Sequence, residues 1–177
     1  MTDDLEGMFR YLDTLTERPD LERVMEELSR FEIDLDDVSD HVHFSRNTYK
    51  RNLMRSGPHY HAWVMCWRNG QRSPIHNHAG SACVVRVLRG TLTETIFEMA
   101  PNGHVKASFS RDIAEGSLIG SEDADIHQVS NLQAGDADLV TLHVYAPPLT
   151  RMETYSLYDL GRGQDVWELE FSDAAGI

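Results

Sequence analysis

Apolar positions along the chain follow two different rhythms. Over the first forty-odd residues they recur at helical spacing: Leu5, Met8, Phe9, Leu12 and Leu15 form one stripe, and Leu21, Val24, Met25, Leu28 and Phe31 form a second. A helix turns once every 3.6 residues, so each stripe predicts an amphipathic helix with one face to bury. Glu22, Glu26 and Glu27 fall mostly off the second stripe. Arg18-Pro19 separates the two helices, because the residue before a proline is pushed out of the helical region. Asp20 is the expected N-cap of the second helix. A third, short helical turn is expected around Leu35 to Val42.

From about Thr48 the rhythm shortens. Apolar or alternating runs near 48–54, 60–67, 82–88, 91–98, 104–110, 117–120, 126–131, 138–146, 152–157 and 165–171 read as strands. They are separated by turn formers: Gly57-Pro58, Asn69-Gly70, Arg89-Gly90, Asn102-Gly103 and Ala134-Gly135-Asp136. Many short strands at this spacing predict an antiparallel sandwich or barrel. The expected fold is therefore all-β, a jelly-roll-like antiparallel barrel with two to three N-terminal helices packed on it. Residues 1–177 are expected to form a single domain, with 1–46 as the helical cap and 47–177 as the barrel.

Composition narrows the function classes. The net charge is -13, from 29 acidic against 16 basic residues. That disfavours a nucleic-acid partner or an anionic membrane surface, both of which want clustered cations. No apolar run approaches the roughly 20 residues that span a bilayer. The acidic start MTDDLEGMFRYL lacks the layout of a secretory signal. Two cysteines, Cys66 and Cys83, are too few for a disulfide framework. The expectation is a cytoplasmic, monomeric protein with free thiols.

The candidate chemistry lies in SPIHNHAG, residues 73–80. His76 and His78 are two apart, so in extended chain they share a face and Asn77 points the other way. Two neutral imidazoles on one face form half a site for a divalent transition metal. His127, in DIHQVSN, is the candidate third ligand. In VTLHVYAPP, Thr141, His143 and Tyr145 share one strand face and Val140, Leu142 and Val144 the other. A polar triplet facing a barrel interior is costly unless it lines a pocket. Arg51, with Tyr49 and Leu53 on its face, is expected to point inward, where a guanidinium wants a carboxylate. The remaining His-x-His pairs, His41/His43 and His59/His61, read as surface or loop histidines, His104 as exposed, Cys66 as an inert core thiol, and Gly90 and Asn131 as turn formers.

These spacings resemble the two motifs of the cupin superfamily. Gly70, His76, His78 and Gly90 occupy the first motif, with Cys83 in its glutamate slot. Gly116, His127 and Asn131 occupy the second, with Glu122 and Ala124 where proline and glycine are usual. Within the superfamily the chain resembles the cysteine dioxygenase type I family of thiol dioxygenases over Tyr49 to Pro148, through YKRNLM, VMCWRNGQRSPIHNHAGSACVVRVLRGTLTETIFE and TLHVYAPP. The resemblance implies a cupin barrel whose ferrous iron is held by His76, His78 and His127 without a carboxylate. It also implies oxidation of L-cysteine by dioxygen to cysteine sulfinic acid. Arg51 and Tyr49 fall at the substrate-carboxylate positions, His143 and Tyr145 at the positions behind and beside the substrate, and Cys83 and Tyr145 at the positions of a thioether crosslink. Thr141 stands where the family has serine and keeps the hydroxyl. Trp67 falls beside the site by the same resemblance. Three alternatives stand beside this reading: dioxygenation of 3-mercaptopropionate or another small thiol, a non-catalytic cupin that binds a metal or small molecule, and a zinc or manganese isomerase on the same barrel, against which the missing motif glutamate counts.

Overall fold

The computed structural model of the chain describes residues 2–158 and 166–168. Both helical stripes fold as helices: α1 spans Asp3–Leu12 and α2 Leu21–Ser29. Each starts on a side-chain cap, Thr2 accepting from the Leu5 amide and Asp20 from the Arg23 amide. Such caps satisfy amides that the first helical turn leaves unpaired. The expected third turn is a short 3-10 helix, Asp36–His41.

Eleven strands are described: β1 Lys50–Gly57, β2 Tyr60–Trp67, β3 Ile75–His76, β4 Ala82–Arg89, β5 Thr91–Met99, β6 Val105–Ala114, β7 Leu118–Ser121, β8 Ile126–Ser130, β9 Leu139–Ala146, β10 Arg151–Tyr155 and β11 Val166–Glu168. Three depart from the expected pattern, β1 among them: it runs past its expected end at 54 because Arg55, Ser56 and Gly57 still pair with β2. The two-residue β3 has too little sequence to show a period, and it exists because it pairs with both β8 and β10. β6 runs past its expected end at 110, because it pairs with β5 from Met99↔Val105 to Thr91↔Ala114, with one irregularity between Ile96 and Phe97. Of the strand expected over 165–171, residues 166–168 pair with β10, and the rest lies outside the described residues.

The strands form two antiparallel sheets, ordered β1-β2-β9-β4-β7 and β11-β10-β3-β8-β5-β6. β2 and β9 are buried along their whole lengths. Their near-continuous apolar runs follow from having cover on both faces. One face of the five-stranded sheet, including Tyr60, Ala62, Val64, Val84, Val140, Leu142 and Val144, packs on Leu5, Met8, Phe9, Leu12, Val24 and Leu28 of the helices. The other face supplies Trp63, Met65, Trp67, Cys83, Val85, Leu139 and Tyr145 to the space between the sheets, where they meet Leu92, Ile113, Val129 and Met152.

Polar bonds fix the helices at their ends. Asp13, at the end of α1, accepts from the Tyr60 hydroxyl at 2.8 Å and from Arg55 at 2.6 Å. Arg86 reaches from β4 to the Leu28 carbonyl at 2.9 Å, satisfying an unpaired acceptor at the C-terminus of α2. No helix among the described residues is long and apolar enough to cross a membrane. Both cysteines are free and buried.

Gly90 turns β4 into β5 with φ +83, and a Cβ there would lie 2.8 Å from the Asp138 carbonyl oxygen. Left-handed backbone alone costs a non-glycine residue about 1–2 kcal/mol. Gly90→Ala is expected to lower unfolding free energy by at least that amount in urea titrations. An unchanged midpoint would contradict this account of the turn.

Candidate metal centre

β3 and β8 place His76 directly opposite His127. His78 lies just past the end of β3, where the expected extended pair has already left the ladder. It still turns to the same side, because its amide donates to the Asp123 carbonyl at 3.2 Å and the chain then bends at Ala79 and Gly80, both with positive φ. The three rings are buried, and the atoms they could offer a metal lie within 4.8 Å of one another. Nε2 of His78 and Nε2 of His127 are 3.2 Å apart.

Asn77 points away, as the alternation predicts. Its oxygen accepts from the amides of Ala79 and Glu153, and its nitrogen donates to the Glu153 carboxylate and the Tyr155 hydroxyl. This clamp holds the His-x-His segment on β10. Arg18, in the α1–α2 linker, ties the outer rim together through the Gly80 carbonyl and the carboxylates of Glu122 and Asp123. Glu122 and Ala124, the two departures from the second motif, lie in the turn before β8. There Asp125 closes the turn by accepting from the Glu122 amide at 2.8 Å, so no proline is needed.

Hydrogen bonding sets the state of the imidazoles. Nδ1 of His76 lies 3.0 Å from the Pro74 carbonyl, which can only accept, so Nδ1 carries the proton and Nε2 is bare. Nδ1 of His127 lies 2.8 Å from Oε1 of Glu94, with the same consequence. Burial, and then the neighbouring His127 ring, push the His76 pKa down to about 3; the same causes hold His78 well below its usual range. Burial alone would raise the Glu94 pKa, but bonds to His127 and Arg111 outweigh it and hold the carboxylate below its usual range. Buried neutral imidazoles converging through unprotonated nitrogens have the donor chemistry of a divalent transition-metal site.

The opposite wall comes from β9 and its neighbours. Trp67 Nε1 donates to Thr141 Oγ1 at 3.0 Å, Thr141 Oγ1 meets His143 Nε2 at 2.9 Å, and His143 Nδ1 meets the Tyr145 hydroxyl at 3.3 Å. Burial, then the neighbouring histidines, lower the His143 pKa to about 3. Burial, then Cys83, raise the Tyr145 pKa well above its usual range. Cys83 faces Tyr145 directly across the β4–β9 register, and its own pKa is raised, mainly by burial. Tyr49 stacks on Trp67 with ring centres 4.2 Å apart.

Arg51 lines the same cavity, half-buried, and among the described residues it makes no hydrogen bond or ion pair. Leu53, expected on the inward face with it, stands opposite Trp63 but is 36% exposed, because β1 is the edge strand of its sheet. The cavity is narrow, about 20 Å³ on the measure by which one water needs about 10–15 Å³. It suits a small ligand.

All ten residues singled out in the sequence thus come to one pocket or its immediate surround. Two other histidines are less exposed than expected: His104 is half-buried with its Nδ1 covered, and His61 is buried because β2 is covered on both faces. It packs edge-on against Trp63. Glu94 and Arg111 had not been singled out. The signal for Glu94 was its place in TLTETIF, two residues after Leu92 and therefore on the same inner face as a core residue.

A family model described as Cysteine dioxygenase type I matches residues 9–158. Cysteine dioxygenase type 1 of Homo sapiens is 31% identical over 133 residues, covering 72% of this chain and 66% of the relative. The Bos taurus protein of the same name is 29% identical over 137 residues, covering 75% of this chain and 68% of the relative. The match to the human protein thus spans just under two thirds of that protein's length. Among solved structures, a conserved protein with a double-stranded β-helix domain from Klebsiella pneumoniae aligns with TM-score 0.56 at 15% identity, over 67% of this chain and 88% of that one. A Bacillus halodurans protein aligns with TM-score 0.51 at 20% identity, over 67% and 81%. At these identities the structural likeness speaks for the fold.

The buried neutral histidines make metal-free stability depend on pH. The native pKa values of His76, His78 and His143 lie below the unfolded value near 6.5, with His76 and His143 both at about 3. The unfolded chain therefore binds more protons between those limits, and stability falls as pH falls below about 6.5. Urea midpoints of the metal-free protein are expected to drop progressively from pH 7.5 to 5, with proton uptake on unfolding. A flat profile over that window would contradict neutral burial.

Proposed function

The chain belongs to the cysteine dioxygenase type I family, a thiol dioxygenase family of the cupin superfamily, and from that premise we propose that it is a mononuclear iron enzyme that oxidises L-cysteine with dioxygen to cysteine sulfinic acid. The observation that carries this reading is one narrow cavity that joins three converging imidazoles to a guanidinium with no anionic partner among the described residues. His76, His78 and His127 would hold ferrous iron, which when bound supplies the one-electron chemistry that dioxygen requires. Three neutral ligands leave the ion its full charge, which favours an anionic sulfur substrate over a further protein carboxylate.

The chain's own groups then bind and orient. Arg51 takes the substrate carboxylate through paired N–H donors. Tyr49, held flat against Trp67, walls that end of the pocket. The Trp67 indole can only donate, so it occupies a lone pair of Thr141 Oγ1. The single Thr141 proton then goes to His143 Nε2 at 2.9 Å, not to the Met65 carbonyl at 3.5 Å. His143 in turn donates from Nδ1 to the Tyr145 oxygen, which frees the phenol proton to point at the substrate. Because burial keeps His143 neutral, this chain orients Tyr145 without titrating near pH 7.

Cys83 and Tyr145, opposed on neighbouring strands, are also the proposed partners of a thioether. That bond removes two hydrogens, with dioxygen as the oxidant, and would fix the phenol ring against the pocket.

The test is anaerobic purification, iron loading, and mass spectrometry of products after addition of air with L-cysteine or 3-mercaptopropionate. Cysteine sulfinic acid, at a higher turnover than the 3-mercaptopropionate product, is expected. Faster turnover of 3-mercaptopropionate would overturn the substrate, and no oxygen uptake with any small thiol would favour a non-catalytic cupin. Hydrogen bonds to charged groups are worth about 1.5–3 kcal/mol. Arg51→Gln should accordingly raise KM for L-cysteine about 10- to 100-fold with kcat less affected. An unchanged KM would remove Arg51 from the substrate site.

A further inference from the structure

Glu94 is fully buried on the inner face of β5, and its two oxygens have different partners. Oε1 meets His127 Nδ1 at 2.8 Å, while Oε2 meets Arg111 Nε at 2.8 Å and Nη2 at 2.6 Å. Arg111 stands directly opposite Glu94 across the β5–β6 ladder, and its side chain is half-exposed. His127 pairs with Ile96, so Glu94 reaches it along the diagonal of the same face. A line of contacts thus runs from the protein surface through Arg111 and Glu94 to a ring nitrogen of the histidine cluster.

We propose that Glu94 is a positioning residue that fixes the tautomer of His127, and that Arg111 makes this arrangement obligatory by claiming the other carboxylate oxygen. The proposal rests on the reading of His127 as a metal ligand. A carboxylate accepts on both oxygens, so it accepts from Arg111 and from His127 Nδ1–H together. That leaves Nε2 unprotonated and facing His78 Nε2. A guanidinium is a donor only, and whichever atom of residue 94 faces Arg111 must accept.

Glu94→Gln turns this logic against the metal. The carboxamide is nearly the same size, but it has one accepting oxygen. Arg111 takes that oxygen, and the amide N–H₂ is left facing His127 Nδ1. The ring then accepts at Nδ1 and carries its proton on Nε2, the atom needed for ligation. Arg111→Met removes the competing donor, so in the double variant the carboxamide can turn its oxygen to His127 and restore the ligating tautomer.

The experiment is anaerobic titration of parent, Glu94→Gln, Arg111→Met and the double variant with Co(II) as the probe, against a competing chelator, with circular dichroism to verify folding. Loss of a residue that orients a ligand typically costs 10- to 100-fold in metal affinity. Glu94→Gln is expected to weaken Co(II) binding by about that factor, Arg111→Met to change it little, and the double variant to recover most of the loss. Parent-like affinity in Glu94→Gln overturns the proposal. So does a double variant no tighter than Glu94→Gln, which is what a mere packing role predicts. Nitrogen-15 spectra of the Zn(II)-loaded parent give a second measurement that needs no variant: His127 should be protonated at Nδ1 and ligated through Nε2, and ligation through Nδ1 overturns the proposal. Neither readout requires thiol oxidation, so a failure here is distinct from a failure of the dioxygenase reading.

Discussion

The structure depends on crowding three imidazole rings at one point in a dry interior. Burial makes a charged ring expensive, and the rings disfavour one another's protonation. Acceptors placed behind the rings finish the work: a carbonyl at His76 and a carboxylate at His127 draw the ring protons outward and turn bare nitrogens inward. A cluster of this kind has poor alternatives to a cation, because its lone pairs face one another and water has little room among them.

The fold is arranged around that demand. The six-stranded sheet brings the two halves of the cluster into register at His76↔His127, and the five-stranded sheet supplies the facing wall of Trp67, Thr141, His143 and Tyr145. The helices matter to the site indirectly. By covering the outer face of β2 and β9 they allow those strands to be buried on both sides, so the polar triplet on β9 is held in a rigid frame. Asn131, the last residue of the second motif, serves the same end. Its amide donates to the Trp67 and Ala137 carbonyls and ties the chain leaving β8 to the ends of β2 and β9.

Much of this was legible in the sequence, because spacing in strands is a direct statement about faces. The alternation in VTLHVYAPP assigned each residue of β9 to a side, and HNH put two rings together with Asn77 opposite them. What stayed hidden required knowing which strands adjoin. His61 looked like a surface histidine, since nothing local says that β2 is covered twice. Leu53 is exposed because β1 ends up at the edge of its sheet, and β3 exists only through its neighbours. Glu94 belongs to the same class. Its partners are 33 and 17 residues away in the chain, and only the β5–β8 and β5–β6 registers bring them together.

The most direct test of the account is metal analysis with X-ray absorption on protein purified without air from iron-replete cells. The account predicts one iron per chain, bound by three imidazole nitrogens with no protein carboxylate or sulfur, and abolished by His127→Ala. A tightly held zinc with four protein ligands, or iron retained undiminished in that variant, would contradict it.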